Sequence, residues 1–279
     1  MNIPSIPIGD WIEAFINFLV EHFAFATKAF SSVMEVGLKA LESGLMFMPP
    51  WLFIIIAAAL AWWLSRNRKI GVGTVLGLLL IWNMGLWEAT VSTIALVLIS
   101  TMVAILIGLP LGILSAMNRG VYRVVFPILD VMQTMPAFVY LIPAIPFFGL
   151  GKVAAIFSTV IFSMPPAIRL TCLGIKQVPV ELVECAEAFG SNRWQRLFKL
   201  ELPLATPTIM AGVNQTVMLA LSMVVIAAMI GAKGLGGEVW KAIQRLQMGN
   251  GFEAGIGIVI VAIILDRVLQ KVGARNKPS

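Results

Sequence analysis

Long apolar runs that carry almost no charge recur along this chain, and they restrict its fold more than any other feature. Each run approaches the roughly 20 residues that an α-helix needs to cross the hydrocarbon core of a bilayer. Inside a bilayer every backbone N–H and C=O group needs a partner within the protein, so the runs are expected to form helices. Only 12% of the 279 residues are charged, about half the share that is usual in soluble domains. The sequence therefore predicts an all-α polytopic membrane protein.

About seven transmembrane helices are expected from these runs. They lie at roughly 49–65, 70–87, 91–116, 124–149, 153–170, 206–231 and 251–268. If the N-terminus is outside the cell, fourteen of the 20 Lys and Arg residues fall on the cytoplasmic side. Cytoplasmic loops of membrane proteins are enriched in these two residues. We therefore expect the N-terminus outside, the C-terminus inside and a cytoplasmic tail at 271–279.

Residues 1–48 form an amphipathic N-terminal region rather than a span. Glu35, Lys39 and Glu42 lie on one face of a helix, and apolar residues cover the remainder. Stripes of this period fit helices that lie in the membrane interface or pack on the bundle. Residues 49–89 would follow as two peripheral transmembrane helices.

The net charge of +6 does not indicate a nucleic-acid partner. The basic residues flank the apolar runs, where they act as topology signals. Cys172 and Cys185 lie thirteen positions apart without further Cys or His residues at metal-ligand spacing. We interpret them as reduced thiols on the cytoplasmic side, and we expect no metal site.

The fourth expected span contains four prolines, which interrupt helical hydrogen bonding and mark kinked or discontinuous membrane helices. They are Pro127, Pro136, Pro143 and Pro146. A pore that alternates between two open forms can use such breaks, although ordinary proline usage in membrane proteins explains them equally well.

A few polar residues inside or beside the spans are candidates for a pore or for helix contacts. Asp130 is an acid inside a span, where ionisable groups are often functional; an ion pair or a helix cap would also explain it. Asn214, Met218 and Ser222 share one helical face at i, i+4 and i+8, which fits helix–helix hydrogen bonds or the lining of a pore. Residues 231–250 form either a docking surface for an external partner or a solvated connection.

Motifs of catalysis are missing from the sequence. It contains no G-x-x-x-x-G-K-[ST] phosphate-binding loop, no G-x-S-x-G nucleophile and no His/Glu metal cluster. It also lacks a chain of several intramembrane carboxylates of the kind that proton-driven carriers use. A membrane-bound enzyme and an ion-coupled carrier are thus disfavoured.

The longest charged interval between two apolar regions runs from Pro179 to Pro203. We expect two short helices joined by a turn at Gly190, with Ser191 or Asn192 capping the second helix and Pro203 ending it. A hairpin with a mixed polar and aromatic surface can seat in a groove of another protein. An interfacial hairpin without a partner would show the same pattern.

Within this interval, Glu184-Cys185-Ala186 is followed by three residues and then Gly190, and nine more residues lead to Leu200-Glu201-Leu202-Pro203. The spacing resembles the EAA signature of ABC importer permeases. The sequence departs from that signature at Cys185, where Ala is usual, and at Leu200, where Ile is usual. The resemblance extends over about residues 90–270, and it is to permeases of glycine betaine/proline betaine (quaternary-amine) importers. The stretches that carry it are DVMQTMPAFVYLIPAIPFFGLG, FSMPPAIRLTCLGIKQVP and LPLATPTIMAGVNQTVMLALSMVVIAAMIGAKGLGG.

This resemblance implies a type I permease core at 90–270 in a bacterial cytoplasmic membrane. It implies a non-catalytic pore subunit, two permease copies, two cytoplasmic ATPase subunits that bind ATP and Mg, and an external substrate-binding protein. No cofactor is expected in this chain. The residues implied in ATPase docking are Glu184, Cys185, Ala186, Gly190, Leu200, Leu202 and Pro203. The expected cargo is a quaternary amine used for osmoprotection; another small polar solute is the alternative.

Overall fold

The structure, a computed structural model, describes residues 7–275, and every regular element in that range is helical. The helices are α1 (Ile8–His22), α2 (Ala24–Phe47), α3 (Pro50–Ser65), α4 (Arg68–Asn83), α5 (Trp87–Met117), α6 (Arg119–Thr134), α7 (Leu141–Phe148), α8 (Lys152–Ser163), α9 (Pro165–Lys176), α10 (Val180–Ala188), α11 (Arg193–Arg196), α12 (Leu202–Ala227), α13 (Leu235–Gln244) and α14 (Met248–Arg275). The predicted all-α class is confirmed. Residues 1–6 of the N-terminal region and 276–279 of the expected tail lie outside the described residues.

The centre of the bundle consists of α5, α8, α9 and α12, which pack along one another. Small residues allow α9 to approach both of its long neighbours closely. A Cβ atom added to Gly112 of α5 would lie 2.8 Å from the carbonyl oxygen of Ile168, and one added to Gly212 of α12 would lie 3.1 Å from that of Pro166. The two long helices thus sandwich α9 in close contact.

The N-terminal helix α2 packs against this centre, on α5, α7 and α8. Leu38 is buried within the main core, and the Lys152 ammonium group at the start of α8 contacts the Glu42 carboxylate. The amphipathic pattern allowed this region either to lie in the membrane interface or to pack on the bundle, and α2 packs on the bundle. Helix α1, in contrast, exposes its aromatic residues, among them Trp11 and Phe15.

Three continuous helical segments are long and apolar enough to cross a membrane. They are Trp87–Met117, Lys152–Lys176 and Arg193–Ile230. Two further helix pairs are long and apolar enough only when their members are taken together, and each pair is sharply bent, as in a broken span or a re-entrant loop. The bend is 103° between Ala24–Phe47 and Pro50–Ser65, and 115° between Arg119–Thr134 and Ala137–Phe148. The number of seven spans stays a prediction.

The break that the prolines predict in the span at 124–149 is present, because the chain turns sharply in its middle. Helix α6 ends at Thr134, and Met135 adopts an extended conformation with ψ of 136°. Pro136 explains the break, since a residue that precedes proline is driven out of the helical region and proline has no N–H to donate. A 3₁₀ turn at Ala137–Tyr140 then leads into α7.

Candidate functional site

Helices α10 and α11 form a tight hairpin whose turn is fixed by local hydrogen bonds. Gly190 has a φ of +77°, a left-handed conformation that glycine adopts without steric cost. The amide of Ser191 donates to the carbonyl of Ala186 at 3.0 Å, and that of Gly190 donates to Glu187 at 2.8 Å. This paired pattern is the Schellman motif of helix ends. The predicted glycine turn is therefore present in the structure.

The second helix of the hairpin begins with a reciprocal cap. The Asn192 carboxamide accepts a hydrogen bond from the amide of Gln195 at 2.8 Å, and the Gln195 side chain accepts one from the amide of Asn192 at 2.9 Å. Such a capping box satisfies two backbone donors at once. Of the two expected caps, Asn192 takes this role.

The hairpin presents a mixed surface to its surroundings. None of the nine residues of α10 is buried, and Glu184 and Cys185 are exposed. Phe189 at the turn is 86% exposed, and the rings of Trp194 and Phe198 stack with their centroids 6.1 Å apart. Exposed aromatic rings beside charges are typical of protein-binding surfaces.

The seven predicted docking residues fall into two groups. Glu184, Cys185, Ala186 and Gly190 lie together on the hairpin, whereas the others lie at the root of α12: Leu200, Leu202 and Pro203. At that root Leu202 packs against a small apolar cluster of Ile175, Leu197 and Ala205. Leu197 is buried there, whereas Trp194 and Phe198 on the same helix are exposed.

The expectation that Pro203 ends the hairpin is wrong, because the helix continues from Arg193 to Ile230. Residues Leu197–Glu201 form a π-helical turn, and the amide of Leu202 donates to the carbonyl of Leu197, five residues back. A π-turn is wider than an α-turn, which leaves room for the ring of Pro203 and its missing donor. The hairpin is thus continuous with the long helix α12.

Asp130 forms an ion pair with Arg169 and so connects α6 to α9. The Arg169 guanidinium also lies 5.4 Å from the centre of the Phe126 ring. The Asp130 side chain is exposed over two thirds of its surface, and it lies near the end of α6 rather than deep in a continuous span.

The three residues predicted to share one face of α12 have different surroundings: one contacts a neighbouring helix and two are exposed. The Asn214 amide donates to the Asp266 carboxylate of α14 at 2.9 Å, while Met218 and Ser222 are exposed. The hydroxyl of Ser222 donates to the carbonyl of Met218 within its own helix. Of these three residues, only Asn214 joins α12 to another helix through a side-chain hydrogen bond in the described part of the chain.

Residues 231–250 are not simply a solvated connection. The amide of Leu235 donates to the buried hydroxyl of Thr93 at 2.8 Å, and a Cβ atom on Gly236 would lie 2.4 Å from the carbonyl oxygen of Val224. The start of α13 is therefore fitted closely to α5 and α12.

Sequence reasoning missed one charged cluster at the hairpin, formed by Glu187, Arg196 and Glu201. Their spacings of nine and five residues match no helical repeat, and the turn and the π-segment bring them together. The charges themselves were the only signal.

Comparison with known proteins places this geometry in a family. The family described as "binding-protein-dependent transport system inner membrane component" matches residues 108–272. The chain is 52% identical over 276 residues to the glycine betaine transport system permease protein OpuAB of Bacillus subtilis, covering 99% of this chain and 98% of that protein. It is 49% identical to the glycine betaine/carnitine transport permease protein GbuB of Listeria monocytogenes, with 99% of each chain covered. It is 47% identical to the glycine betaine/proline betaine transport system permease protein ProW of Escherichia coli, over 98% of this chain and 77% of that one.

Among solved structures, the fold is similar to a chain of an inward-facing MetNI methionine ABC transporter. The TM-score is 0.61 at 22% identity, and the match covers 67% of this chain and 94% of that chain. This likeness identifies a type I ABC importer permease fold. The extent of the family match and the nearly full-length relatives together show that the chain belongs to the binding-protein-dependent transport system inner membrane components, the permease subunits of ABC importers.

Proposed function

We propose that this chain is the pore subunit of an ATP-driven importer of quaternary-amine osmolytes. The relatives named for glycine betaine, carnitine and proline betaine support this class of cargo. The observation that carries the coupling role is the exposed hairpin around Gly190, which displays the EAA spacing on a helix without buried residues. A permease for a different small polar solute is the second candidate.

The assembly that we propose contains two copies of this chain, with a permease core at 90–270 in each. Two ATPase subunits bind ATP and Mg on the cytoplasmic side, and an external protein delivers the cargo. This chain contributes neither catalysis nor a cofactor. The N-terminus lies outside the bacterial cytoplasmic membrane and the C-terminus inside, because Lys and Arg are concentrated in the segments that this orientation makes cytoplasmic.

In the proposed mechanism the hairpin is the point at which ATPase movement enters the membrane. Glu184 holds the ATPase and Gly190 forms the tip. When ATP closes the ATPase dimer, the two hairpins are drawn together, and each pulls on the helix that continues as α12. ATP binding then favours the outward-open form because only that form accommodates the closed ATPase dimer.

The exposed thiol of Cys185 allows a direct test of docking and sidedness. A membrane-impermeant maleimide is expected to label Cys185 in inverted vesicles but not in right-side-out ones, and bound ATPase is expected to block the labelling. Cys172 is buried, so Cys185→Ala supplies the background. Labelling from the outside, or labelling that co-purified ATPase leaves unchanged, would refute the docking role.

Transport is tested in liposomes that contain the whole complex and receive labelled glycine betaine with the binding protein. Uptake should require internal ATP, and unlabelled proline betaine, choline and carnitine should define the cargo by competition. Glu184→Lys is expected to abolish uptake while the protein stays in the membrane; Glu181→Lys, on the same exposed helix, is the control. Uptake by this chain alone without ATP would instead indicate an ion-coupled carrier.

A further inference from the structure

We propose that Arg196 is a positioning residue that ties the docking hairpin to the root of α12, so that the two move as one body. The inference rests on the proposed function, since it assigns a task to a residue beside the ATPase-docking surface. It concerns how movement is transmitted, and it gives Arg196 no contact with the ATPase.

The Arg196 guanidinium contacts one acid on each side of the hairpin. Its Nη1 donates to the Glu187 carboxylate on α10, and its Nε lies 2.8 Å from Oε1 of Glu201 in the π-turn before α12. One side chain therefore connects the first helix of the hairpin to the start of the long helix. A guanidinium suits such a bridge because it is always charged and can lie between two carboxylates.

Burial differs between the two contacts. The Glu201 side chain is 10% exposed and that of Arg196 is 24% exposed, whereas Glu187 is 54% exposed. Charge pairs away from water attract each other more strongly than those at the surface. The contact between Arg196 and Glu201 is thus the firm anchor, and Glu187 is the lighter tie that holds α10 to it.

The hairpin needs such a tie because α10 has no core contacts of its own. None of its residues is buried, while the neighbouring Leu197 is 1% exposed and packs against Ile175 of α9 and Ala205 of α12. Without Arg196, a pull on α10 would bend the chain at Gly190. With Arg196 in place, the same pull reaches the Leu197 cluster and, through it, α9 and α12.

The two neighbouring cations provide a contrast. Arg193 and Lys199 are exposed, and within residues 7–275 neither forms an ion pair with an acidic side chain. They remain available to an external partner, whereas Arg196 is turned inward. Lys199→Gln therefore removes the same charge from the same segment without removing the tie.

The first experiment measures the mobility of a spin label on Cys185 in the full chain in lipid nanodiscs, without ATPase. Arg196→Gln and Glu187→Ala are both expected to increase the mobility of the label, and Lys199→Gln is not. Glu187 is exposed, so its variant folds even if Arg196→Gln does not. Equal spectra in wild type, Arg196→Gln and Glu187→Ala would overturn the proposal.

The second experiment uses the complete complex and measures uptake per ATP hydrolysed. Arg196→Gln should lower this ratio severalfold, because part of the movement of the hairpin no longer reaches α12, while the amount of co-purified ATPase stays at the wild-type level. The double variant Arg196→Gln/Glu201→Gln removes the unpaired buried carboxylate, so it should recover thermal stability but not the ratio. Recovery of both would mean that Arg196 is only structural.

The two experiments distinguish a failure of the Arg196 tie from a failure of the ATPase-docking role. If the wild-type chain binds no ATPase, the docking role fails, while the spin-label comparison still tests the tie. If Arg196→Gln loses the ATPase with an unchanged label spectrum, Arg196 is a docking contact and the positioning role is wrong.

Discussion

Lys152 Nζ lies 2.7 and 2.6 Å from the two carboxylate oxygens of Glu42, although 110 residues separate them in the sequence. The pair joins the N-terminal helix α2 to the start of α8. The side chains are 13% and 30% exposed for Glu42 and Lys152 respectively, so the contact is more sheltered than an ordinary surface pair. It ties the amphipathic extension to the permease bundle.

Removing one partner of this pair should loosen α2. Lys152→Met leaves the Glu42 carboxylate without its counter-ion, and we expect the free energy of unfolding to fall by about 1–3 kcal/mol, between the values for surface and buried pairs. Thermal unfolding followed by tryptophan fluorescence in nanodiscs measures the change. The double variant Glu42→Gln/Lys152→Met should recover part of the loss.

Lys39→Gln is the control for this prediction. It removes the exposed contact between Lys39 and Glu35 on the same helix, where the N–O distance is 3.8 Å, and it should leave the unfolding midpoint unchanged. An equal fall in Lys39→Gln and Lys152→Met would contradict a special role for the Glu42 pair.

The turn of the hairpin should tolerate asparagine at Gly190 better than alanine. A Cβ atom at this position meets no heavy atom within 4 Å, so the cost is conformational, about 1–2 kcal/mol for a residue held at positive φ. Asparagine visits this region more readily than alanine. Gly190→Ala should therefore reduce ATPase co-purification more than Gly190→Asn does.

Gly44→Ala is the matched control, because Gly44 also meets no atom within 4 Å but lies inside helix α2. Alanine favours a helix interior. The same loss of ATPase in Gly44→Ala and Gly190→Ala would mean that the left-handed turn is not the cause.

How much of this molecule the sequence predicts depends on how local each feature is. The turn at Gly190 follows from a glycine and a capping asparagine within a few residues, so pattern reasoning finds it. The contact between Glu42 and Lys152 depends on the packing of α2 against α8, which no short-range pattern encodes. The π-turn before Pro203 lies between these cases: proline indicates an irregularity, but tertiary packing of Leu197 decides whether the helix stops or widens.

Adjacent glycines in α13 should respond very differently to alanine. In Gly236→Ala the new methyl group would lie 2.4 Å from the backbone oxygen of Val224, whereas in Gly237→Ala the nearest atom is the oxygen of Ala232 at 3.3 Å. Backbone atoms cannot move aside as a side chain can, so we expect Gly236→Ala to cost about 3 kcal/mol or more. Thermal unfolding and membrane abundance measure both variants, and similar values for the two would contradict the close packing of α13 on α12.

Variants on the polar face of α12 should affect stability and transport differently. Asn214→Ala removes the hydrogen bond to Asp266, and such bonds between membrane helices contribute about 0.6 kcal/mol, so its unfolding midpoint should fall slightly. Ser222 donates only within its own helix in the described part of the chain, so Ser222→Ala should leave the midpoint unchanged. Because Ser222 is exposed on that face, we expect Ser222→Trp to reduce uptake with little change in stability if the face lines the pore. Normal uptake in Ser222→Trp would show that the pore lies elsewhere, and equal midpoints for Asn214→Ala and wild type would remove Asn214 as a helix contact.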